Sequence, residues 1–148
     1  MIRPFSLPDL DRILQIERQS FPKSPYDWAT FINLYWLYPQ TFWVYVGKKC
    51  DREENQILGY IVFSGDGHII SIAIYPQHRR RGIGKEFLEK AIKNVHPKKL
   101  WAEVRKSNQG AQAFYLKMGF QIARVVPNYY GNEDALVVEW TPSSRRPD

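Results

Sequence analysis

The stretch "IAIYPQHRRRGIGKEFL", residues 72–88, constrains the fold more than any other. An apolar run with the β-branched content of a buried strand ends at Tyr75. Arg79, Arg80 and Arg81 follow, and then Gly82 and Gly84 open a segment in which Ile83, Phe87, Leu88, Ala91, Ile92 and Val95 recur at helical spacing. A strand that turns into a helix presents unpaired N–H groups where the helix dipole is positive, which suits an anion. Glycine there lets phosphate oxygens reach the main chain and tolerates positive φ. The spacing is not that of a Walker loop, since Gly82 and Gly84 stand one residue apart and Glu86 follows Lys85. A dinucleotide fingerprint is excluded by Phe87, where it needs a third glycine. On this turn alone, a tight bend with solvated arginines is an equally open reading.

Around this turn the pattern alternates. Ser6, Pro8 and Asp9 predict a capped first helix carrying Leu10, Ile13 and Leu14. Asp27 predicts the cap of a second helix with Trp28, Phe31, Ile32, Tyr35 and Trp36. "TFWVYVG" and "ILGYIVFSG" read as an antiparallel pair, and "HIISIAIY" as a third strand. On the helix after the glycines, Glu86 with Lys90 and Glu89 with Lys93 are spaced to pair. Beyond Pro97, "LWAEVR" reads as a strand and "SNQGAQAFYLKMGF" as a capped helix; "FQIARVV" and "DALVVEW" form a closing pair. The order implies an α/β sheet, largely antiparallel with a parallel pair at its centre.

A chain of 148 residues, 44% hydrophobic and 24% charged, suits one packed domain, expected over 1–141 with a disordered tail over 142–148. A net charge of +6 favours an anionic partner: nucleic acid, an acidic protein or a phosphorylated small molecule. The lone Cys50 excludes an intrachain disulfide, points to a reducing compartment and has no neighbouring His to activate it. Without a basic-then-apolar leader or a run of ~18 apolar residues, the chain is expected to be cytoplasmic and not membrane-bound. His68, His78 and His96 lack metal-ligand spacing; no metal is expected, and each reads as a surface or capping residue.

With Arg79, Gly82 and Gly84 spaced as Q/RxxGxG/A after "IAIYP", the sequence resembles the GNAT superfamily of acetyl-CoA-dependent N-acetyltransferases. "LWAEVRKSNQGAQAFYLKMGF" and "NYYGNEDALVVEW" strengthen the likeness toward the ribosomal-protein-alanine and protein N-terminal acetyltransferases, over residues 57–140. The resemblance implies a mixed, mostly antiparallel sheet with a splayed parallel strand pair, flanked by about four helices. It further implies that Ile72, Ala73 and Ile74 meet the pantetheine arm of acetyl-CoA. The amides from Arg80 through Ile83 to Gly84 would hold its pyrophosphate, with Arg79, Arg80 or Arg81 adding charge. Asn108 would touch the coenzyme, although a plain helix cap is the alternative.

Acetyl transfer requires a neutral amine, a polarised carbonyl and a protonated leaving thiolate. Glu103, in an apolar strand, is the candidate base, with a pKa expected to rise through partial burial; the alternative is a surface pair with Arg105. The resemblance assigns the Tyr115 hydroxyl to the thiolate, against a reading as a core aromatic, and the amide near Ile74 would polarise the carbonyl. Tyr26, Trp28, Tyr129 and Tyr130 are the candidate acceptor residues, while Trp28, Phe31, Tyr35 and Trp36 read equally well as core.

The expected acceptor is a protein N-terminus such as that of a ribosomal protein, implying possible ribosome proximity for a monomer or weak dimer. Lysine or small-amine acetylation is the alternative on the same scaffold. A basic nucleic-acid-binding module and a non-catalytic coenzyme sensor are the readings of a different class. The first would need stacking aromatics beside the arginines, yet the densest aromatic cluster lies upstream.

Overall fold

The structure, a computed structural model, describes residues 1–48 and 55–144; Cys50 and the last four tail residues lie outside them. The chain forms two compact bodies, 1–65 with 70–96, and 66–69 with 97–148.

In the first body a sheet runs in the order β1 (Ile2–Pro4), β2 (Phe42–Val46), β3 (Ile57–Phe63), β4 (Ile69–Ile74). β2 is antiparallel to both β1 and β3, with Val44 opposite Arg3 and Tyr60. Every residue of β2 and β3 is buried. The reason is that both faces are covered. Phe42 and Val44 join Phe5, Ile13, Ile16, Phe31, Tyr60, Val62 and Ala73 in one cluster under α1 (Leu10–Ser20) and α2 (Trp28–Leu37). The alternate residues Trp43 and Tyr45 meet α3 (Ile83–Val95), where Tyr45 sets its ring edge on Phe87 and Lys90 lies over Trp43.

The caps follow the sequence closely. Asp27 accepts from the Thr30 amide at 2.9 Å. Asp9 accepts from the Ser6 amide at 2.8 Å as expected, but Leu7–Asp9 form a 3-10 turn and the α-helix starts at Leu10. Asp9 also takes two 2.8 Å hydrogen bonds from Arg3 on β1, which ties the first turn to the sheet edge. On α3 the pair that forms is Lys85–Glu89 at 3.9 Å rather than the pairs that spacing suggested.

The second body carries β5 (Leu100–Arg105), α4 (Gln109–Lys117), β6 (Gln121–Val126) and β7 (Ala135–Trp140), with the antiparallel order β5-β7-β6. Central β7 is buried nearly throughout and edge β6 is exposed. Pro142–Ser144 close as a 3-10 turn. The segment 66–69 adds a parallel bridge, His68 to Trp101, in which the Trp101 amide donates to the Gly67 carbonyl at 3.0 Å. β4 and β5 belong to separate sheets. Among the described residues no helix is long and apolar enough to cross a membrane.

Gly67 makes that bridge possible. Its φ is +108°, and a Cβ there would stand 1.9 Å from the Lys99 carbonyl oxygen. Gly67→Ala is therefore expected to destabilise the protein by about 2–4 kcal/mol. Urea unfolding checks this; an unchanged midpoint would refute the close approach.

Candidate active site

The arginine–glycine turn is built from two left-handed residues. After β4, Pro76–His78 make a 3-10 turn, Arg79 is extended, Arg80 has φ +66° and Gly82 caps α3 with φ +82°. A Cβ on Gly82 would meet nothing within 4 Å, so the glycine serves the backbone angle and leaves open space before the helix amides. Left-handed residues in such turns gather N–H groups into anion-binding concavities.

Arg79 and Arg81 engage different partners. Arg79 donates through Nε to the Ile74 carbonyl and through Nη2 to Ser20 Oγ, both at 3.2 Å. Arg81 Nη1 donates to His78 Nδ1 at 2.8 Å, while Arg80 is exposed. His78 is thus a correction to its reading as a surface residue: it is buried, tilted against Tyr75 with ring centroids 5.9 Å apart. His96 does cap, in the left-handed conformation that ends α3. On β4, Ala73 is buried between the half-buried Ile72 and Ile74.

In the second body Glu103 projects from β5 and its Oε2 lies 2.8 Å from Nε2 of His68. The His68 ring lies flat on Trp101, 5.2 Å between centroids at 3°. Burial pushes the Glu103 carboxyl up, but the hydrogen bond and charge of His68, with smaller help from a main-chain hydrogen bond and the Arg124 charge, together hold the group below its usual range. This corrects the expectation that burial would raise it. The same hydrogen bond raises His68, against an opposing effect of burial. Nor does Glu103 pair with Arg105. That guanidinium donates to Glu133 Oε1 at 2.9 Å and stacks 4.1 Å from the Tyr130 ring centre.

Tyr115 is buried on α4 against Phe114 and Phe120, so the core reading holds for its ring. Burial, then the charges of Glu103 and Tyr130, push its hydroxyl well above its ordinary pKa. The hydroxyl makes no hydrogen bond among the described residues. Tyr129, half exposed, meets Tyr130 edge-on at 4.9 Å and is raised by burial and by the Glu103 charge. Glu103 is therefore the charge to which Tyr115 and Tyr129 both respond. Asn108 caps α4, accepting from the Ala111 amide at 3.0 Å.

The aromatic helix α2 divides between the two readings open to it. Phe31 is fully buried and Tyr35 packs edge-on against Phe5, whereas Trp28 is 61% and Trp36 79% exposed. Tyr26 packs its ring against the core. Among the described residues no three His, Cys, Asp or Glu side chains gather as a metal site would require.

The family model for the acetyltransferase (GNAT) family matches residues 10–120. The chain belongs to the GNAT family. An uncharacterized N-acetyltransferase of Methanocaldococcus jannaschii is 34% identical, the match covering 99% of this chain and 96% of the relative. An N-alpha-acetyltransferase of Sulfurisphaera tokodaii is 32% identical over 93% of this chain and 90% of its own length. Among solved structures, Ard1 from Thermoplasma volcanium superposes with a TM-score of 0.84 at 27% identity, covering 95% of this chain and 96% of that one. The GNAT family uses acetyl-CoA, and the mixed, mostly antiparallel architecture and acetyltransferase activity expected from the sequence agree with it.

The residue missed from sequence is His68. No spacing relates it to Glu103; the parallel bridge to Trp101 does, by setting the two side chains on neighbouring backbones.

The pair carries a pH signature. The raised His68 contributes stability that is present below the unfolded pKa of 6.5 and is lost as pH rises through its folded value. The lowered Glu103 contributes stability present above 4.5 and lost as pH falls through its own folded value. The pair therefore stabilises most between 4.5 and 6.5. In an NMR titration the His68 ring is expected to titrate above 6.5 and to fall back in Glu103→Gln. A ring that titrates identically in both proteins would contradict the pairing.

Proposed function

We propose that this protein transfers the acetyl group of acetyl-CoA to the N-terminal amine of a protein or peptide. The observation that carries this is the His68–Glu103 pair, a carboxylate kept ionised by its partner, with the buried Tyr115 hydroxyl in the same electrostatic field. The N-alpha-acetyltransferase named above and the motifs quoted for the protein N-terminal group support the choice of acceptor.

The turn before α3 fits a diphosphate. It has helix N-terminal amides, a left-handed Gly82 with open space at its Cβ position, and three arginines immediately before it. The amides from Arg80 to Gly84 would hold the phosphates; Ile72, Ala73 and Ile74 would line the pantetheine, and Asn108 would contribute from its cap. When bound, acetyl-CoA supplies the activated thioester.

Glu103 alone is too acidic to take a proton efficiently from an ammonium near neutral pH. Coupled to His68 it belongs to a pair whose higher apparent pKa lies above that of an ordinary imidazole, closer to the operating range. The pair thus takes the amine proton, directly or through water. Tyr115, kept neutral by burial and by the nearby carboxylate, remains a donor and offers its hydroxyl to the departing sulfur. Tyr26, Trp28, Tyr129 and Tyr130 are assigned to the acceptor, of which a ribosomal protein is one example. The chain acts as one acetyltransferase domain over 1–141.

With a panel of short peptides and acetyl-CoA, Glu103→Gln is expected to lower kcat/KM about 10²-fold or more, and Tyr115→Phe to lower it by a smaller factor, with folding intact. Wild-type rates in both variants would remove these two residues from the chemistry. Peptides with free N-termini are expected to react and N-terminally blocked lysine-containing peptides to stay unmodified; the reverse result would move the acceptor to the lysine side chain. Gly82→Ala is expected to strain the turn by about 1–2 kcal/mol and to weaken coenzyme binding in calorimetry. Unchanged affinity would place the diphosphate elsewhere.

A further inference from the structure

Glu17 is a carboxylate with no evident reason to be where it is. It sits on the core face of α1 beside Ile13 and Ile16, only 2% exposed, and among the described residues no cation faces it. The titratable group that does face it is the phenol of Tyr60. Burial raises its pKa. A hydrophobic side chain of similar volume at such a place usually stabilises at least as well.

Its partners suggest the reason. Tyr60 on β3 donates its hydroxyl to Oε1 and is itself hydrogen-bonded at 2.8 Å to Ser71 on β4. The other oxygen, Oε2, accepts the main-chain N–H of Tyr26 at 3.0 Å. Tyr26 lies in the "FPKSPYD" segment that links α1 to α2, where Pro22 and Pro25 have no N–H to anchor the chain. It immediately precedes Asp27, the cap of α2, and stands two residues before the exposed Trp28. One carboxylate therefore fixes where α2 begins, relative to β3 and to Ser71 on the strand that continues into Ile72–Ile74.

We propose that Glu17 is a positioning residue for the acceptor: its carboxylate anchors the Tyr26 main chain to the sheet and so sets Tyr26 and Trp28 for peptide binding. This rests on the acceptor assignment made above.

Glu17→Ala removes both acceptors. Glu17→Gln keeps an oxygen for the Tyr26 N–H and offers an NH2 group to the Tyr60 oxygen, whose proton can turn to Ser71, so the conservative variant should restore the anchor. The expected result for Glu17→Ala is an acceptor KM raised about tenfold. Its kcat and coenzyme affinity should stay within about twofold of wild type, and its Tyr26 amide should exchange faster with solvent. Glu17→Gln should recover most of both effects. Should Glu17→Ala not fold, Tyr60→Phe, which removes the β3 donor and keeps the ring, is expected to raise acceptor KM in the same selective way. An unchanged KM with unchanged Tyr26 exchange overturns the proposal, as does an equal loss of kcat, coenzyme affinity and acceptor affinity. Wild-type protein that acetylates no peptide would sink the acceptor reading instead, and Tyr26 exchange in the variants would still decide whether Glu17 anchors the segment.

Discussion

The hydrogen bond between His68 and Glu103 joins residues 35 positions apart, and it exists because Gly67 lets its backbone pass against the Lys99 carbonyl. A side chain at position 67 would collide with that carbonyl, the bridge from His68 to Trp101 would open, and the imidazole would lose both its stacking surface and its partner. The lowered pKa of the carboxylate and the proton balance proposed for the reaction descend from that one backbone approach, whereas burial comes first in raising the Tyr115 and Tyr129 hydroxyls and the Glu103 charge adds to it.

Two glutamates in this protein show how environment separates identical groups. Glu103 is half-buried, and its imidazole partner can carry the opposite charge; the favourable interactions together outweigh desolvation and the group stays acidic. Glu17 is more deeply buried and meets only neutral donors, so desolvation dominates and the group becomes less acidic. The first arrangement suits proton transfer. The second suits holding a main chain in place, since a carboxylate with two oxygens can reach a strand and a loop at once.

Much of the architecture was legible because it rests on local physics. The helix from Ile83, the Asp27 and Asn108 caps and the closing hairpin each follow from spacing or from side-chain hydrogen bonds within a few residues. The functional groups were legible in type and only partly in environment. Glu103 was singled out, yet its pKa moved opposite to expectation because the compensating imidazole comes from a remote segment. His78 was read as a surface or capping residue, whereas it is buried at the end of a 3-10 turn and hydrogen-bonded to Arg81. Trp28, Phe31, Tyr35 and Trp36 share one helical pattern, but only packing decides that Phe31 fills the core while both tryptophans face solvent.

Composition and spacing determined that a strand would run through an arginine-rich, glycine-opened turn into an amphipathic helix, because periodicity and backbone freedom are properties of neighbouring residues. The tertiary structure alone decided which side chain stands beside Glu103, which partners Arg79 and Arg81 take, and that Glu17 reaches the Tyr26 amide. Those outcomes depend on distances across the fold, and protonation energies follow distance and burial rather than order along the chain.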